Sequence, residues 1–237
     1  MSNMPWVYCS ALSECAEIEL PPEELRHLVG SHRRRTGDFV VLFDGLGEIA
    51  YGTLQELTKR PLKGRVKIVS NRSCPKPLRK THLASALPKG ERQGLMLELV
   101  TQLGVTDFTP LACARSIARP GRRSYERWQR ILVDACKQCR RPWLPELHSE
   151  STLMELLNRN FSRENTVILA DQEGRSSRSL NFDDLGPDYV LIVGPEGGFT
   201  VEERKDLISR CVLPVSLSEH NLRVETAATA LVSLVIS

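Results

Sequence analysis

Short apolar runs interrupted by turn residues occupy the first part of the chain. The run FVVLF at 39–43 is followed by Asp44-Gly45 and Gly47, a pattern typical of β-hairpins in a small barrel. The segment PPEELRHLVG at 21–30 has prolines at its start and predicts one short helix. We therefore expect a small β-rich domain at the N-terminus.

The β-rich pattern is broken at Ser70–Arg79, where two prolines and three basic residues occur together. Such a stretch is typical of a linker. We therefore predict a first domain over 1–72 and a second over 73–237. The chain has 237 residues, 41% of them hydrophobic, which is enough apolar material for one large or two small domains.

Beyond the linker the apolar runs become continuous. The runs at 167–170 and 189–194 are typical of parallel strands buried on both faces. The spacing Thr200-x-x-Glu203 is a capping box and predicts the start of a helix, and 225–236 predicts a final apolar helix. This alternation of strands and helices predicts an α/β domain with a parallel sheet.

The basic residues are unevenly distributed, although the net charge is only +3. From Arg115 to Arg141 there are nine arginines and lysines against Glu126 and Asp134, a local balance of +7 (nine minus two). A dense arginine segment matches the phosphate backbone of nucleic acids. A solvated helix face would give the same pattern, so composition leaves both interpretations open.

The sequence lacks the patterns of a membrane protein and of a metal-binding protein. No apolar run approaches the roughly 20 residues of a membrane helix, and the N-terminus lacks the basic start of a signal peptide, so we expect a cytoplasmic protein. The pair Cys136-x-x-Cys139 lies on the apolar stripe of one helix, which favours core packing over a metal site. That stripe consists of Trp128, Ile131, Leu132, Ala135, Cys136 and Cys139. The five histidines are scattered and lack metal-ligand spacing, so we expect no metal.

A glycine-rich turn, Gly194–Gly198, follows one predicted strand, and the loop 218–221 follows the next. Both loops are therefore expected at the carboxyl edge of the sheet, where ligands bind. Phosphate-binding glycine motifs are absent, and Glu196 would repel a triphosphate. S-adenosylmethionine, which has a sulfonium charge and no phosphate, fits such a turn, and we expect Gly197 to permit its close approach. A tight turn without a ligand is the alternative.

The sequence GPEGGFTVEE at 194–203, followed by LSEHNLRVETAATA at 217–230, resembles the motif pair of the RsmE-type 16S ribosomal RNA uracil-N3 methyltransferases of the SPOUT superfamily. Further similar positions are Arg26-His27, Arg33, Gly37-Asp38, Phe43-Asp44-Gly45-x-Gly47, Lys89-Gly90, Leu103-Gly104-Val105, Arg115-Ser116, Gln138, Arg141 and Pro145. The resemblance implies an α/β domain with a parallel sheet and a deep trefoil knot, preceded by a PUA-like β-barrel. It also implies S-adenosylmethionine as cofactor, 16S ribosomal RNA or the small ribosomal subunit as substrate, and a homodimer.

Candidate site residues follow from the motifs and the resemblance. For the cofactor they are Leu169, Gly194, Pro195, Glu196, Gly197, Gly198, Leu217, Ser218, Leu222 and Arg223. For RNA they are Arg33, Arg34, Arg35, Arg115, Arg127, Arg130 and Arg141. Arg223 is the candidate to stabilise negative charge on uracil or to hold a flanking phosphate, and Glu225 the candidate to accept the proton or orient Arg223. Alternatively, both residues only cap and pair at the start of the last helix.

Several positions depart from the family pattern. They are Leu99, Gln102, Ala114, Cys139, Ser218, His220 and Asn221. The departures leave open a second function, that of a non-catalytic RNA-binding factor in ribosome assembly on the same fold. The apolar final helix must be buried in its own domain, against a partner, or both, which together with the resemblance predicts a two-fold homodimer.

Overall fold

A computed structural model describes residues 4–12, 16–30, 34–59, 61–160, 165–181 and 185–236. The chain divides into two compact units. The first comprises Met1–Lys76 and Val133–Leu144, and the second comprises Pro77–Leu132 and Pro145–Ser237. Among the described residues, no helix has both the length and the apolar character that crossing a membrane requires.

The first unit is built on a five-stranded sheet. Its elements are β1 (Trp6–Tyr8), β2 (Glu17–Glu19), α1 (Pro22–Val29), β3 (Phe39–Phe43), β4 (Glu48–Lys59) and β5 (Leu62–Ser73). The strand order is β1-β3-β4-β5-β2, with β1 parallel to β3 and the other pairs antiparallel. The predicted hairpins and helix are confirmed. The predicted start of the linker at Ser70 is wrong, because β5 stays paired with β4 as far as Ser73.

Alternate residues of β3 pack on opposite faces of this sheet, as the two-residue period of a strand requires. Val40 and Leu42 contact one core with Leu25 of α1, and Val41 and Phe43 contact another core that includes Cys136. Burial raises the pKa of the Cys136 thiol to about 12. Cys136 is therefore a core residue, as the apolar stripe predicted.

The turn between β3 and β4 forms because Asp44 Oδ1 accepts hydrogen bonds from the backbone N–H of Leu46 at 2.7 Å and of Glu48 at 3.0 Å. Gly45 and Gly47 have φ of 78° and 102°, a region that favours glycine. The sequence signal Asp-Gly-x-Gly therefore specifies this turn.

The second unit contains a parallel sheet with helices. Its elements are β6 (Thr81–Ser85), α2 (Arg92–Leu103), β7 (Asp107–Ala112), the first part of α3 (Ser124–Cys139), β8 (Glu146–Leu147), β9 (Ser151–Thr152), α4 (Leu153–Asn160), β10 (Asn165–Ser176), β11 (Asp188–Val193), α5 (Val201–Ser209), β12 (Leu213–Ser216) and α6 (Val224–Ile236). From Val133 onward, α3 belongs to the first unit. The strand order is β12-β10-β11-β6-β7-β8, with β9 paired to β7, and every pairing is parallel. The predicted α/β fold with a parallel sheet is confirmed.

The final helix α6 buries most of its apolar surface within its own unit. It packs against α2 and the sheet, and Ala228, Leu231 and Val232 are fully buried. Of the three possibilities that the sequence left open for this helix, burial in its own domain is therefore observed.

Candidate functional site

Three neighbouring strands end at the same edge of the sheet in the second unit. Strand β10 lies between β11 and β12, and the second half of β10 and the segments that follow β11 and β12 surround one cavity of about 260 Å³. The lining consists of Ala170, Asp171, Gln172, Glu173, Val193, Gly194, Pro195, Glu196, Gly198, Phe199, Arg204, Leu217, Ser218, His220, Asn221, Leu222, Val224 and Ala227. This is the position at which ligands bind to open parallel sheets.

The glycine-rich turn forms the wall of the cavity that follows β11. Gly198 has φ of 68°, and its N–H donates to the carbonyl of Pro195 at 2.8 Å, which closes the turn. A Cβ at Gly194 would lie 2.5 Å from the ring of Phe199, so any side chain there requires this ring to shift. Thr200 and Glu203 then form the predicted capping box, with contacts of 3.2 and 2.8 Å.

A bulge in β10 forms the opposite wall. Ala170 and Arg175 both align with Val215 of β12, so the residues between them loop out of the strand pairing. A Cβ at Gly174 would lie 2.5 Å from the backbone N of Val215, which explains the glycine in the bulge. The sequence pattern gave no sign of this bulge, because its residues are polar and lie beyond the apolar run at 167–170 that predicted the strand.

Arg204 of α5 holds the two carboxylates of this bulge. Its Nη2 lies 2.9 Å from Asp171 Oδ1, and its Nη1 lies 2.7 Å from Glu173 Oε2. The hydrogen bond to Glu173 and the charge of Asp171 raise the pKa of Arg204 above its ordinary value. The cavity therefore has a polar wall with fixed carboxylates, which the candidate site residues did not include.

Two arginines hold the glycine-rich turn from outside the cavity. Arg92 Nη1 lies 3.5 Å from Glu196 Oε1, and also 3.5 Å from Glu225 Oε1 at the start of α6. Arg115 Nη1 donates to the carbonyl of Gly197 at 2.9 Å and to that of Phe199 at 3.3 Å. The carboxylate of the turn is thus paired with a cation, and the turn is anchored through its backbone as well.

Seven of the ten candidate cofactor residues line the cavity: Gly194, Pro195, Glu196, Gly198, Leu217, Ser218 and Leu222. The other three lie elsewhere. Leu169 is buried in the core, Gly197 lies against the side chain of Arg115, and Arg223 is exposed immediately before α6. Close approach of a ligand is therefore expected at Gly194 and not at Gly197.

Glu225 is buried in the first turn of α6, where it is 7% exposed. Arg92 contacts its Oε1, and within the described part of the chain no hydrogen-bond donor reaches its Oε2. Its neighbours Val224 and Ala227 line the cavity, but Glu225 itself lies outside the lining.

Comparisons with known proteins agree with this geometry. Residues 74–236 match the family model of the RNA methyltransferase domain. The ribosomal RNA small subunit methyltransferase E of Synechocystis sp. is 31% identical over 217 residues, which cover 90% of this chain and 71% of that relative. The chain belongs to the ribosomal RNA small subunit methyltransferase E family. The resemblance seen in the motifs is thereby confirmed.

Two solved structures share the fold of this family member along nearly its whole length. A methyltransferase from Legionella pneumophila, in complex with bound SAM, has a TM-score of 0.87 at 29% identity and covers 98% of this chain and 96% of its own. A ribosomal RNA small subunit methyltransferase E from Neisseria gonorrhoeae, bound to S-adenosyl methionine, has a TM-score of 0.84 at 28% identity. That match covers 97% of this chain and 95% of the other.

The cavity of this family member matches the chemistry of S-adenosylmethionine. Leu217, Leu222 and Ala227 offer an apolar surface suited to an adenine ring, next to the backbone groups of the glycine-rich turn. The carboxylates of Asp171 and Glu173 can accept hydrogen bonds from hydroxyl or ammonium groups. Carboxylates on both walls suit a cationic ligand better than a polyphosphate.

The candidate RNA-binding arginines differ in how much of their side chains reaches solvent. In the second unit, Arg115, Arg127 and Arg130 are exposed, and Arg127 Nη2 also donates to Gln93 Oε1 at 3.1 Å. In the first unit, Arg35 is exposed and Arg34 half-buried, while burial lowers the pKa of the half-buried Arg141. Arg33 lies outside the described residues.

Two histidines that are far apart in sequence meet at the amino ends of the strands. The rings of His82 and His148 lie 5.2 Å apart, a contact that their wide separation in the sequence did not reveal. Burial lowers the pKa of His82 to about 4. Burial alone would raise the pKa of the nearby Asp107, but hydrogen bonds from His148, Lys80 and Thr106 hold it below its ordinary value.

Asp107, Glu146 and His148 lie close enough together to be considered for a metal ion. Lys80 Nζ, however, lies 3.0 Å from Asp107 Oδ1, and His148 Nε2 lies 2.9 Å from the same oxygen. The oxygen that a metal would need is already paired with a cation, so we interpret the cluster as a structural ion pair.

Proposed function

We propose that this protein transfers a methyl group from S-adenosylmethionine to N3 of a uridine in 16S ribosomal RNA of the small subunit. The observation that carries the proposal is the cavity at the carboxyl ends of β10, β11 and β12, with its glycine-rich turn. Relatives named as small-subunit ribosomal RNA methyltransferases support the substrate class, and relatives solved with the cofactor support the donor.

The residues around the cavity have distinct roles in holding the cofactor. The apolar side chains of Leu217 and Leu222 cover one side, and the backbone of Gly194–Gly198 supplies close hydrogen-bonding groups. Asp171 and Glu173, fixed by Arg204, orient the polar end. When bound, S-adenosylmethionine supplies an activated methyl group, and the electron pair of the broken carbon–sulfur bond stays on sulfur.

The uracil side requires removal of one proton and stabilisation of charge. Loss of the N3 proton leaves negative charge that is delocalised onto the two carbonyl oxygens of uracil, and N3 then forms its bond to the methyl carbon. Arg223 is exposed immediately before α6, between the lining residues Leu222 and Val224, and stabilises one of those oxygens or holds a flanking phosphate. Of the two roles predicted for Glu225, orienting Arg223 fits its place outside the cavity lining, and solvent takes up the N3 proton. Alignment of N3 with the methyl group supplies much of the rate enhancement.

The remaining features of the proposal concern architecture and substrate. We infer that the first domain is a PUA-like barrel and that the second contains a trefoil knot, both supported by the motif resemblance. Exposed arginines, among them Arg35, Arg127 and Arg130, bind RNA phosphates. A two-fold homodimer and a cytoplasmic location, where small subunits are assembled, complete the proposal.

Calorimetry and nucleoside analysis test the proposal with the purified protein. Titration with S-adenosylmethionine should give saturable binding, and incubation with unmethylated small subunits should yield 3-methyluridine at one position. A protein that binds RNA but no S-adenosylmethionine would contradict the methyltransferase and support the assembly factor. Methylation at another atom of the base would contradict the N3 assignment alone.

A further inference from the structure

One guanidinium connects two walls of the cofactor cavity. Arg92, the first residue of α2, donates from Nη1 to Oε1 of Glu196 and to Oε1 of Glu225, both at 3.5 Å. Glu196 belongs to the glycine-rich turn after β11, and Glu225 to the first turn of α6. These three residues, here called the Arg92 bridge, join segments that are 104 and 133 residues from Arg92 along the chain.

Burial makes this bridge different from a surface ion pair. Exposed ion pairs contribute little, because water and salt screen them. The side chain of Glu225 is only 8% exposed, and that of Arg92 is 32% exposed. Removing the guanidinium would leave a buried carboxylate without its cation, which is strongly unfavourable. The start of α6 is therefore expected to move when Arg92 is lost.

The position of the bridge connects it to the proposed chemistry. Arg223 directly precedes α6, and the N–H of Ala227 donates to the carbonyl of Arg223 at 2.8 Å, so the first turn of the helix fixes this residue. Gly194, Pro195 and Glu196 line the cofactor cavity on the other side. A displacement of Arg92 would therefore shift both the glycine-rich turn and Arg223.

Glu225 is poorly placed to receive a proton from the substrate. It lies outside the lining of the cavity, and its Oε2 is buried. A general base needs to come within hydrogen-bond reach of the proton that it removes. A partner for Arg92 needs only an acceptor oxygen at Oε1, which a glutamine would also supply.

We propose that Arg92 is a positioning residue that fixes the glycine-rich turn relative to the start of α6. In this proposal Glu225 acts as the partner of Arg92 in the bridge and not as the proton acceptor. The inference rests on the proposed function for its kinetic consequences. Its structural consequences are independent of that function.

Kinetic measurements on the purified full-length protein test the two roles of Glu225. Glu225→Gln keeps an acceptor for Arg92 and should retain kcat within about threefold, whereas Glu225→Ala and Arg92→Gln should each lower kcat about tenfold or more. Arg92→Lys should recover part of that loss. The double variant Arg92→Gln/Glu225→Ala should be no worse than either single variant, because the residues act as a unit. Loss of activity in Glu225→Gln with normal cofactor binding would overturn the proposal.

Hydrogen exchange provides a readout that does not depend on turnover. In Arg92→Gln, the amides of 194–199 and of 224–228 should lose protection together. Arg65→Gln is a matched control, because Arg65 also links two carboxylates, Glu17 at 3.4 Å and Glu56 at 3.9 Å, at a half-exposed position. If protection is kept in both segments, or is lost in only one of them, Arg92 does not link the two segments and the proposal is overturned.

These measurements distinguish an error in the proposed function from an error in the Arg92 bridge. If the wild-type protein makes no 3-methyluridine while Arg92→Gln still loosens both segments, the proposed function is wrong and the bridge is right. Because Arg92→Lys and Glu225→Gln preserve size and hydrogen bonding, they keep the test valid if the more disruptive variants fail to fold.

Discussion

Gly194→Ala is the substitution that probes the cofactor cavity most sharply. The new methyl carbon would lie 2.5 Å from Phe199 Cε2 and 2.8 Å from Cζ, well inside van der Waals contact. Phe199 packs on the core of the second unit and also lines the cavity, so its ring has to shift. Overpacking of this kind costs roughly 1–3 kcal/mol. If this free energy destabilises the complex with S-adenosylmethionine, affinity falls by roughly 5- to 150-fold.

Isothermal titration with S-adenosylmethionine measures this loss. Gly197→Ala is the matched control, because a Cβ there meets only Arg115 Cβ at 3.4 Å and Cδ at 3.6 Å, and Gly197 lies outside the lining. We expect the control to bind within about twofold of the wild type. Wild-type affinity in a folded Gly194→Ala variant, or a larger loss in Gly197→Ala, would refute the assignment of this wall.

The remaining predictions concern catalysis, RNA binding and acid stability. Arg223→Ala should keep S-adenosylmethionine binding and the predicted dimer, which light scattering would check, but lose about 10²-fold in kcat; unchanged turnover would remove the arginine from the mechanism. Charge removal at Arg127 and Arg130 should weaken RNA binding and flatten its salt dependence by about 0.7–0.9 per lost phosphate contact, and an unchanged slope would count against this surface. Because burial lowers the pKa of His82 to about 4, the unfolded chain binds this proton first as the pH falls below about 6.5. The free energy of unfolding should therefore fall by about 3 kcal/mol between pH 6.5 and 4, and denaturant titrations of His82→Gln should lack this component.

Local signals in the sequence specified much of the framework. Thr200 and Glu203 predicted the start of α5. Gly104, with φ of 112°, ends α2 in the left-handed conformation that favours glycine. The continuous apolar runs identified β10 and β11 as buried parallel strands, and the glycine-rich turn located one wall of the cavity. These features are encoded within a few residues of each other, which is why a single sequence reveals them.

Features that depend on tertiary contacts were missed. Strand β6 is buried along its whole length. Its polar residues Thr81, His82 and Ser85, however, interrupt the apolar run that would have predicted a buried strand. The imidazole of His82 is satisfied by a distant partner, Thr109 Oγ1, which lies 2.8 Å from His82 Nε2. The assignment of 133–144 to the first unit likewise depends on contacts far apart in sequence.

The site residues missed by sequence reasoning share the same cause. Arg92 and Arg204 lie on helices, and each meets carboxylates from other elements. No spacing in the sequence connects Arg92 with Glu196 or Glu225. Only the return of the chain through the parallel sheet brings them together.

Nucleoside mass spectrometry of small-subunit ribosomal RNA tests the central claim most directly. RNA from cells lacking the gene would be compared with RNA from cells complemented by the wild type or by Arg223→Ala, with authentic 3-methyluridine as the standard. We predict that 3-methyluridine disappears from one position without the gene and returns with the wild type but not with the variant. An unchanged 3-methyluridine content in the deletion strain would contradict this prediction.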